Sequence, residues 1–245
     1  MARYDIKGTE YPSVTEVTGQ VKDPNPLMYW AVKCMGKYIL DKFIECNVKM
    51  GQTIIDEWFF DILGNAKLHY KEVSEKAKDI GLEVHNMISE YIKHKMTGKE
   101  YDYKGKYRPE VENGYLAFLE WESKNVLRYI DSELTVCESV HYGYAGRLDC
   151  IAELNDKRGI YVIDFKSSKG FYDDMPLQIA GYRYAYHDSA LVEGCGILRL
   201  DKITGEPEWK DVSKKYERSL KAFQYLTKYW YYAKKRRLRN NPFVK

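Results

Sequence analysis

No stretch of this chain approaches the ~18 consecutive apolar residues that a membrane-spanning helix requires, so no membrane partner is expected. The opening Met1-Ala2-Arg3-Tyr4-Asp5 carries no apolar signal region. Cysteine is scarce and unpatterned: Cys34, Cys46, Cys137, Cys150 and Cys195 make no disulfide framework. Both features fit a reducing, intracellular setting. Cys34 and Cys46 could pair in principle, but free thiols are expected. Charge of one sign is lacking too. The 39 Lys and Arg against 36 Asp and Glu leave a net +3, which by itself is weak support for a nucleic-acid partner. No internal repeat and no low-complexity linker interrupts the 245 residues, so one domain is expected.

What the chain does have is apolar and aromatic mass. Hydrophobic residues make up 44%, enough for a substantial core, and 23 tyrosines, eight phenylalanines and five tryptophans are available to fill it. Most of the tyrosines are expected to be half-buried packing residues, with a few near a cleft able to stack on bases. Basic charge is concentrated in one terminal block, Lys234-Lys235-Arg236-Arg237-Leu238-Arg239. Such a block is a solvated tail or a phosphate contact.

Periodicity orders the elements. Residues 1–19 read as irregular or an edge strand, with Ser13 or Thr15 a helix cap. Helices are expected over 25–47, over 51–64 with Gly64 closing it, and over 67–96, where Val73, Ala77, Ile80, Val84 and Ile88 recur at helical spacing. A polar connection from Met96 to Pro109 precedes a helix over 110–130, and a strand over 134–142 holds Glu138. Strands follow at 144–154 and 160–165, joined by the polar turn Asn155 to Gly159. Asp174 and Pro176 mark the start of a further helix. Strands at 194–200 and 208–212 lead to a terminal amphipathic helix over 213–239. The expected organisation is a mainly helical region over 1–130, a sheet core over 131–212, and a C-terminal helix with a basic tail over 213–245.

The chemistry concentrates between Gly143 and Tyr186. Asp149 lies within the first strand of the hairpin, and Asp164 and Lys166 lie two apart near the end of the second. Side chains alternate along a strand, so Asp164 and Lys166 share a face while Ile163 and Phe165 point the other way. If the register brings Asp149 beside Asp164, the two carboxylates meet, and carboxylate oxygens are the ligands Mg²⁺ and Mn²⁺ prefer. A D-x-K tripeptide alone is commonly a surface ion pair. The nearly continuous apolar run before Asp164 argues for a buried strand, where a carboxylate needs a partner or a metal.

Four motifs in order carry a resemblance. Gly81-Leu82-Glu83-Val84-His85 matches a helical G-x-x-x-H, Gly146-Arg147-Leu148-Asp149 a G-x-x-D strand, Asp164-Phe165-Lys166 a (D/E)-x-K strand, and Gln178-Ile179-Ala180-Gly181-Tyr182 a Q-x-x-x-Y helix. Together with Tyr11-Pro12-Ser13-Val14-Thr15, they make residues 11–190 resemble the PD-(D/E)XK nuclease superfamily. Within it they are similar to the RecB-like branch that includes phage-type and mitochondrial genome maintenance exonucleases. Leu148 stands where the superfamily name has proline, and Asp164 where glutamate is commoner.

The resemblance implies an α/β fold of the restriction-endonuclease type: a mixed central sheet flanked by helices, with a helical N-terminal region. It implies a Mg²⁺- or Mn²⁺-dependent deoxyribonuclease, acting as an exonuclease on single-stranded DNA ends. His85, Asp149, Asp164 and the carbonyl of Phe165 would be the metal ligands. Asp149, Asp164 and Lys166 would be catalytic, with Lys166 positioning and helping to deprotonate the attacking water. Gln178 and Tyr182 would orient the phosphate or the strand. Glu138 is a further candidate near the site, and a surface glutamate is the alternative. Iron–sulfur members carry a C-terminal cysteine trio, and nothing after Cys195 could supply one, so no cluster is expected. A structure-specific endonuclease and a non-catalytic nucleic-acid-binding relative remain as alternatives. DNA repair and recombination are processes that use this branch. No protein partner is indicated, and the phage-type likeness leaves a viral origin open.

Overall fold

Alternating β-branched and aromatic residues from Val126 to Asp211 build a five-stranded sheet, and the helices on either side of it in sequence supply its cover. A computed structural model describes residues 3–46, 56–101, 105–155, 159–234, 238 and 240–243. The chain divides into two compact units: residues 1–22 with 81–245, and residues 23–80.

The first unit begins with a hairpin of β1 (Arg3–Ile6) and β2 (Thr9–Pro12). Lys7 and Gly8 at its tip both have positive φ, 52° and 81°, as a tight two-residue turn that follows the strand twist requires. Helix α1 (Val14–Thr18) follows, capped by Ser13, whose Oγ accepts from the Glu16 N–H at 2.9 Å.

The main sheet runs in the order β3 (Val126–Glu138), β4 (Tyr144–Leu154), β5 (Gly159–Lys166), β6 (Gly194–Leu200) and β7 (Pro207–Asp211). Only the β5–β6 pair is parallel. A parallel pair needs a crossover, and α5 (Met175–Ala185) provides it. Helix α6 (Tyr216–Lys234) packs on α5, with Leu220, Phe223 and Trp230 buried. Val14, Tyr144, Leu148, Ile151, Ile179, Tyr182 and Phe223 join them in one apolar cluster. On the other side of the strand alternation, Phe165 meets Phe118 of α4 (Pro109–Asn125) edge-on at 5.5 Å, and Trp121 of α4 stacks on Trp209 of β7 at 4.8 Å. Helix α3 (Asp56–Thr97) enters this unit at Gly81, with Val84, Met87, Ile88 and Ile92 buried.

The second unit pairs α2 (Asn25–Glu45) with the first half of α3. Phe43 stacks on Trp58 at 5.6 Å, and Tyr38 lies 4.9 Å from His69. No residue of α2 is buried, although Leu27, Trp30, Ala31, Cys34 and Ile39 recur along it at helical spacing.

The mixed α/β architecture, with N-terminal helices and a central sheet packed by helices, is therefore as expected. Several boundaries differ. Gly64 does not close a helix: α3 is continuous through it, because one interior glycine costs only about 1 kcal/mol and 42 residues absorb that. The helix expected to reach residue 130 ends at Asn125, and β3 starts at Val126, eight residues before the expected Leu134. Asp174 stands at the N-cap of α5 but makes no capping bond with its side chain; its carboxylate faces Lys22 Nζ at 3.3 Å instead. Residues 51–55, the turn residues 156–158, and Lys235, Arg236, Arg237 and Arg239 of the basic block lie outside the described residues.

Candidate active site

The β4–β5 pairing ends at Cys150 against Ile163, and Asp149 and Asp164 are the next residue along on their two strands. Their surroundings differ sharply. Asp149 Oδ2 accepts the Phe165 backbone N–H at 2.7 Å, and its Oδ1 faces His85 Nδ1 at 3.7 Å. Burial pushes the Asp149 carboxyl pKa up, but His85, Lys166 and the Phe165 N–H outweigh it and hold the group below its ordinary value. Asp149 is therefore a stabilised carboxylate.

Asp164 is the reverse case. Its side chain is 1% exposed. Lys166 Nζ lies 2.6 Å from Oδ2, within ion-pair reach. Beyond that ion pair, neither carboxylate oxygen has a hydrogen-bond partner among the described residues. Burial raises the Asp164 pKa, Lys166 lowers it, Asp149 raises it further, and the group is pushed up to about 6. Lys166 shows the complementary shift: burial lowers its pKa, but Asp164 and Asp149 outweigh that, leaving it raised and the amine protonated.

His85 stands one turn after Gly81 on α3. Burial lowers its pKa, yet the adjacent Asp149 carboxylate leaves it raised overall. Its ring meets the Phe165 ring edge-on at 6.2 Å. Within an extended strand, a residue's N–H and C=O point to the same side. The carbonyl of Phe165 therefore faces the side on which its N–H reaches Asp149.

The motif glycines have a packing reason. A Cβ on Gly146 would lie 2.6 Å from Tyr182 Cε1 and 3.0 Å from Val14 Cγ2, and one on Gly81 would lie 2.8 Å from Ser167 Oγ. Each glycine thus admits a side chain from another motif or from the turn just after Lys166. Tyr182 and Gln178 are buried, and Gln178 Nε2 donates to Tyr182 Oη at 3.0 Å. Burial, with the nearby Asp164 and Asp149 charges, pushes the Tyr182 phenol well up, so it stays protonated.

Two carboxylates depart from the sequence reading. Glu138, a candidate for the site, instead closes the β3–β4 turn. Its Oε1 accepts the N–H groups of Val140 and His141 at 3.0 and 2.8 Å, and its Oε2 those of Tyr142 and Gly143 at 2.6 and 3.1 Å. Four backbone donors consume its acceptor capacity. Glu133 was not anticipated. It lies on β3 opposite Asp149, and donor atoms of His85, Glu133 and Asp149 all fall within 4.8 Å of one another. The available signal was one of extent: a strand begun one residue before Leu134 would have included it.

A buried carboxylate with one lysine partner, beside a second carboxylate and an imidazole, is a donor set that fits a hard divalent cation. The chain matches no protein-family model and no curated protein.

Proposed function

We propose that the protein is a metal-dependent DNA nuclease of the PD-(D/E)XK type, hydrolysing phosphodiester bonds at single-stranded ends. The observation that carries this reading is Asp164: a carboxylate 1% exposed, with the Lys166 ammonium as its polar partner, one residue past the end of the pairing beside Asp149. Such an arrangement is destabilising in the bare protein and is understandable if a cation completes it.

Asp149, Asp164 and His85 are the residues that would hold Mg²⁺ or Mn²⁺. The bound ion would lower the pKa of water and offset the charge that develops on the phosphoryl oxygens. Hydrolysis forms a bond from the water oxygen to phosphorus and breaks the bond from phosphorus to the leaving sugar oxygen; the water's proton passes to solvent, since Lys166 is already protonated, and the leaving oxygen takes one up from solvent. Lys166, protonated at neutral pH by its two acidic neighbours, donates hydrogen bonds that fix the water or a phosphoryl oxygen. His85 and the Phe165 N–H hold the Asp149 carboxylate in one orientation. Tyr182, packed on Gly146, braces the strand that carries Asp149.

The test is a panel of end-labelled linear single-stranded, linear double-stranded and circular single-stranded DNA, with Mg²⁺, Mn²⁺ or EDTA. The reading expects cation-dependent shortening of linear single strands and resistance of circles. Nicking of circles would favour an endonuclease, and binding without cleavage of any substrate would make the protein a non-catalytic relative.

A further inference from the structure

The last rung of the β4–β5 pairing extends onto a third strand. Ser132 pairs with Cys150, and Cys150 pairs with Ile163. Glu133, Asp149 and Asp164 are the residues next to that trio on β3, β4 and β5, so three carboxylates gather where the β4–β5 pairing ends. Lys166 lies at the Asp164 end of this group. At the other end, Glu133 Oε2 faces Arg147 Nε at 2.7 Å, but Arg147 is 54% exposed whereas Glu133 is 17% exposed. The His85 imidazole joins Glu133 and Asp149, with a ligand atom of each of the three within 4.8 Å of the others. Ligands ~2.1 Å from one ion stand ~3 Å apart when adjacent and just over 4 Å when opposed, so the trio is at the scale of one coordination sphere. The buried Asp164 carboxylate has the Lys166 ammonium as its polar partner.

We propose that Glu133 is a cation ligand, and that His85, Glu133 and Asp149 form a cation position displaced along the sheet from the Asp149–Asp164 pair. Of the residues assigned to the metal centre above, His85 then serves the Glu133 position, Asp164 serves the other, and Asp149 bridges the two. An imidazole with two carboxylates suits Mn²⁺ better than Mg²⁺, which takes nitrogen ligands poorly. The Glu133 position is thus the Mn²⁺-selective one. The part it plays in cleavage rests on the nuclease reading above; the binding itself does not.

Calorimetric titration of the metal-stripped full chain with Mn²⁺, and separately with Mg²⁺, tests this in wild type, Glu133→Gln and Arg147→Gln. Glu133→Gln should weaken Mn²⁺ binding at least tenfold and Mg²⁺ binding much less, and Arg147→Gln should leave Mn²⁺ affinity within about threefold of wild type. Unchanged Mn²⁺ affinity in Glu133→Gln overturns the proposal. So does an equal loss in Arg147→Gln, because Glu133 would then matter only as the partner of Arg147. A Mn²⁺-soaked crystal of wild type needs no variant to fold. It should show an anomalous peak in contact with Glu133 and His85; a peak bound only by Asp149 and Asp164, with Glu133 turned to Arg147, overturns the proposal. A DNA cleavage assay on the same wild-type preparation separates the two claims. Mn²⁺ held by Glu133 in a protein that cleaves nothing removes the nuclease reading and keeps this one. Cleavage alongside unaltered Mn²⁺ binding in Glu133→Gln does the opposite.

Discussion

Two aspartates on neighbouring strands make opposite contributions to the metal-free protein. Asp149 has a backbone N–H, a histidine and a lysine around it, and its folded-state pKa is lowered. Its charge therefore adds stability that is present above the unfolded pKa of ~3.9 and is lost as pH falls through the lower folded value. Asp164 has its folded pKa raised to about 6. Ionising it costs the folded state, so its contribution is neutral below ~4 and becomes fully unfavourable above about 6. In EDTA, Asp149→Asn should then lower stability at pH 7–8. Asp164→Asn should raise it, on the order of 2 kcal/mol relative to its effect at pH 4.5. Urea unfolding of both variants across pH 4.5–8 checks this. A difference between wild type and Asp164→Asn that does not change with pH would show that the Asp164 carboxyl is not perturbed. The contrast follows from their partners: Asp149 accepts a backbone N–H and faces a histidine, whereas Asp164 has the Lys166 ammonium alone beside it.

At the level of elements, the site is held by close approaches at glycine. In an ordinary strand, Gly→Ala gains stability, because glycine is a poor strand residue. At Gly146 the sign should reverse, since a Cβ would meet the Tyr182 ring at 2.6 Å. Overpacking of this kind costs roughly 1–3 kcal/mol. Gly146→Ala should destabilise by that amount, and combining it with Tyr182→Ala should recover part of the loss in a double-mutant cycle. Strict additivity would mean that the two motifs do not touch.

Much of this level was legible beforehand. The β4–β5 hairpin has strong β-formers on both sides of a polar turn, and β6 reads as a strand from its apolar run. The D-x-K alternation correctly paired Asp164 with Lys166. The stretch after Asn125 was not legible. Val126, Leu127, Tyr129 and Ile130 continue an apolar pattern compatible with the preceding helix, and only sheet pairing makes them strand. That misreading hid Glu133. Glu138 was drawn toward the site for the converse reason: sequence shows a carboxylate near a motif but not the four backbone N–H groups that occupy it. Gly64 read as a stop because local propensity is a weak prior in a helix of 42 residues.

At the scale of the whole molecule, His85, Glu133, Asp149, Asp164 and Lys166 all belong to the unit of residues 1–22 and 81–245. Among the described residues, no helix is long and apolar enough to cross a membrane. A cation bound by the folded state alone stabilises all of it by mass action, about 2.7 kcal/mol at a hundredfold excess over Kd. Thermal melting of wild type should therefore rise with Mn²⁺, while Asp149→Asn, which removes an anionic ligand, should respond little. A variant that responds like wild type would take Asp149 out of the metal site.

Cleavage itself is the central claim, and Lys166→Ala against wild type tests it most directly. Both proteins are assayed on end-labelled linear single-stranded DNA with Mn²⁺, with DNA binding and thermal melting measured alongside. Lys166 is placed to fix the water or a phosphoryl oxygen, a function typically worth ~10²–10⁴ in rate. The account predicts EDTA-sensitive cleavage by wild type and a loss of that size in the variant, with binding retained. Turnover of the variant within a few-fold of wild type, or no cleavage by wild type with either cation, would contradict it.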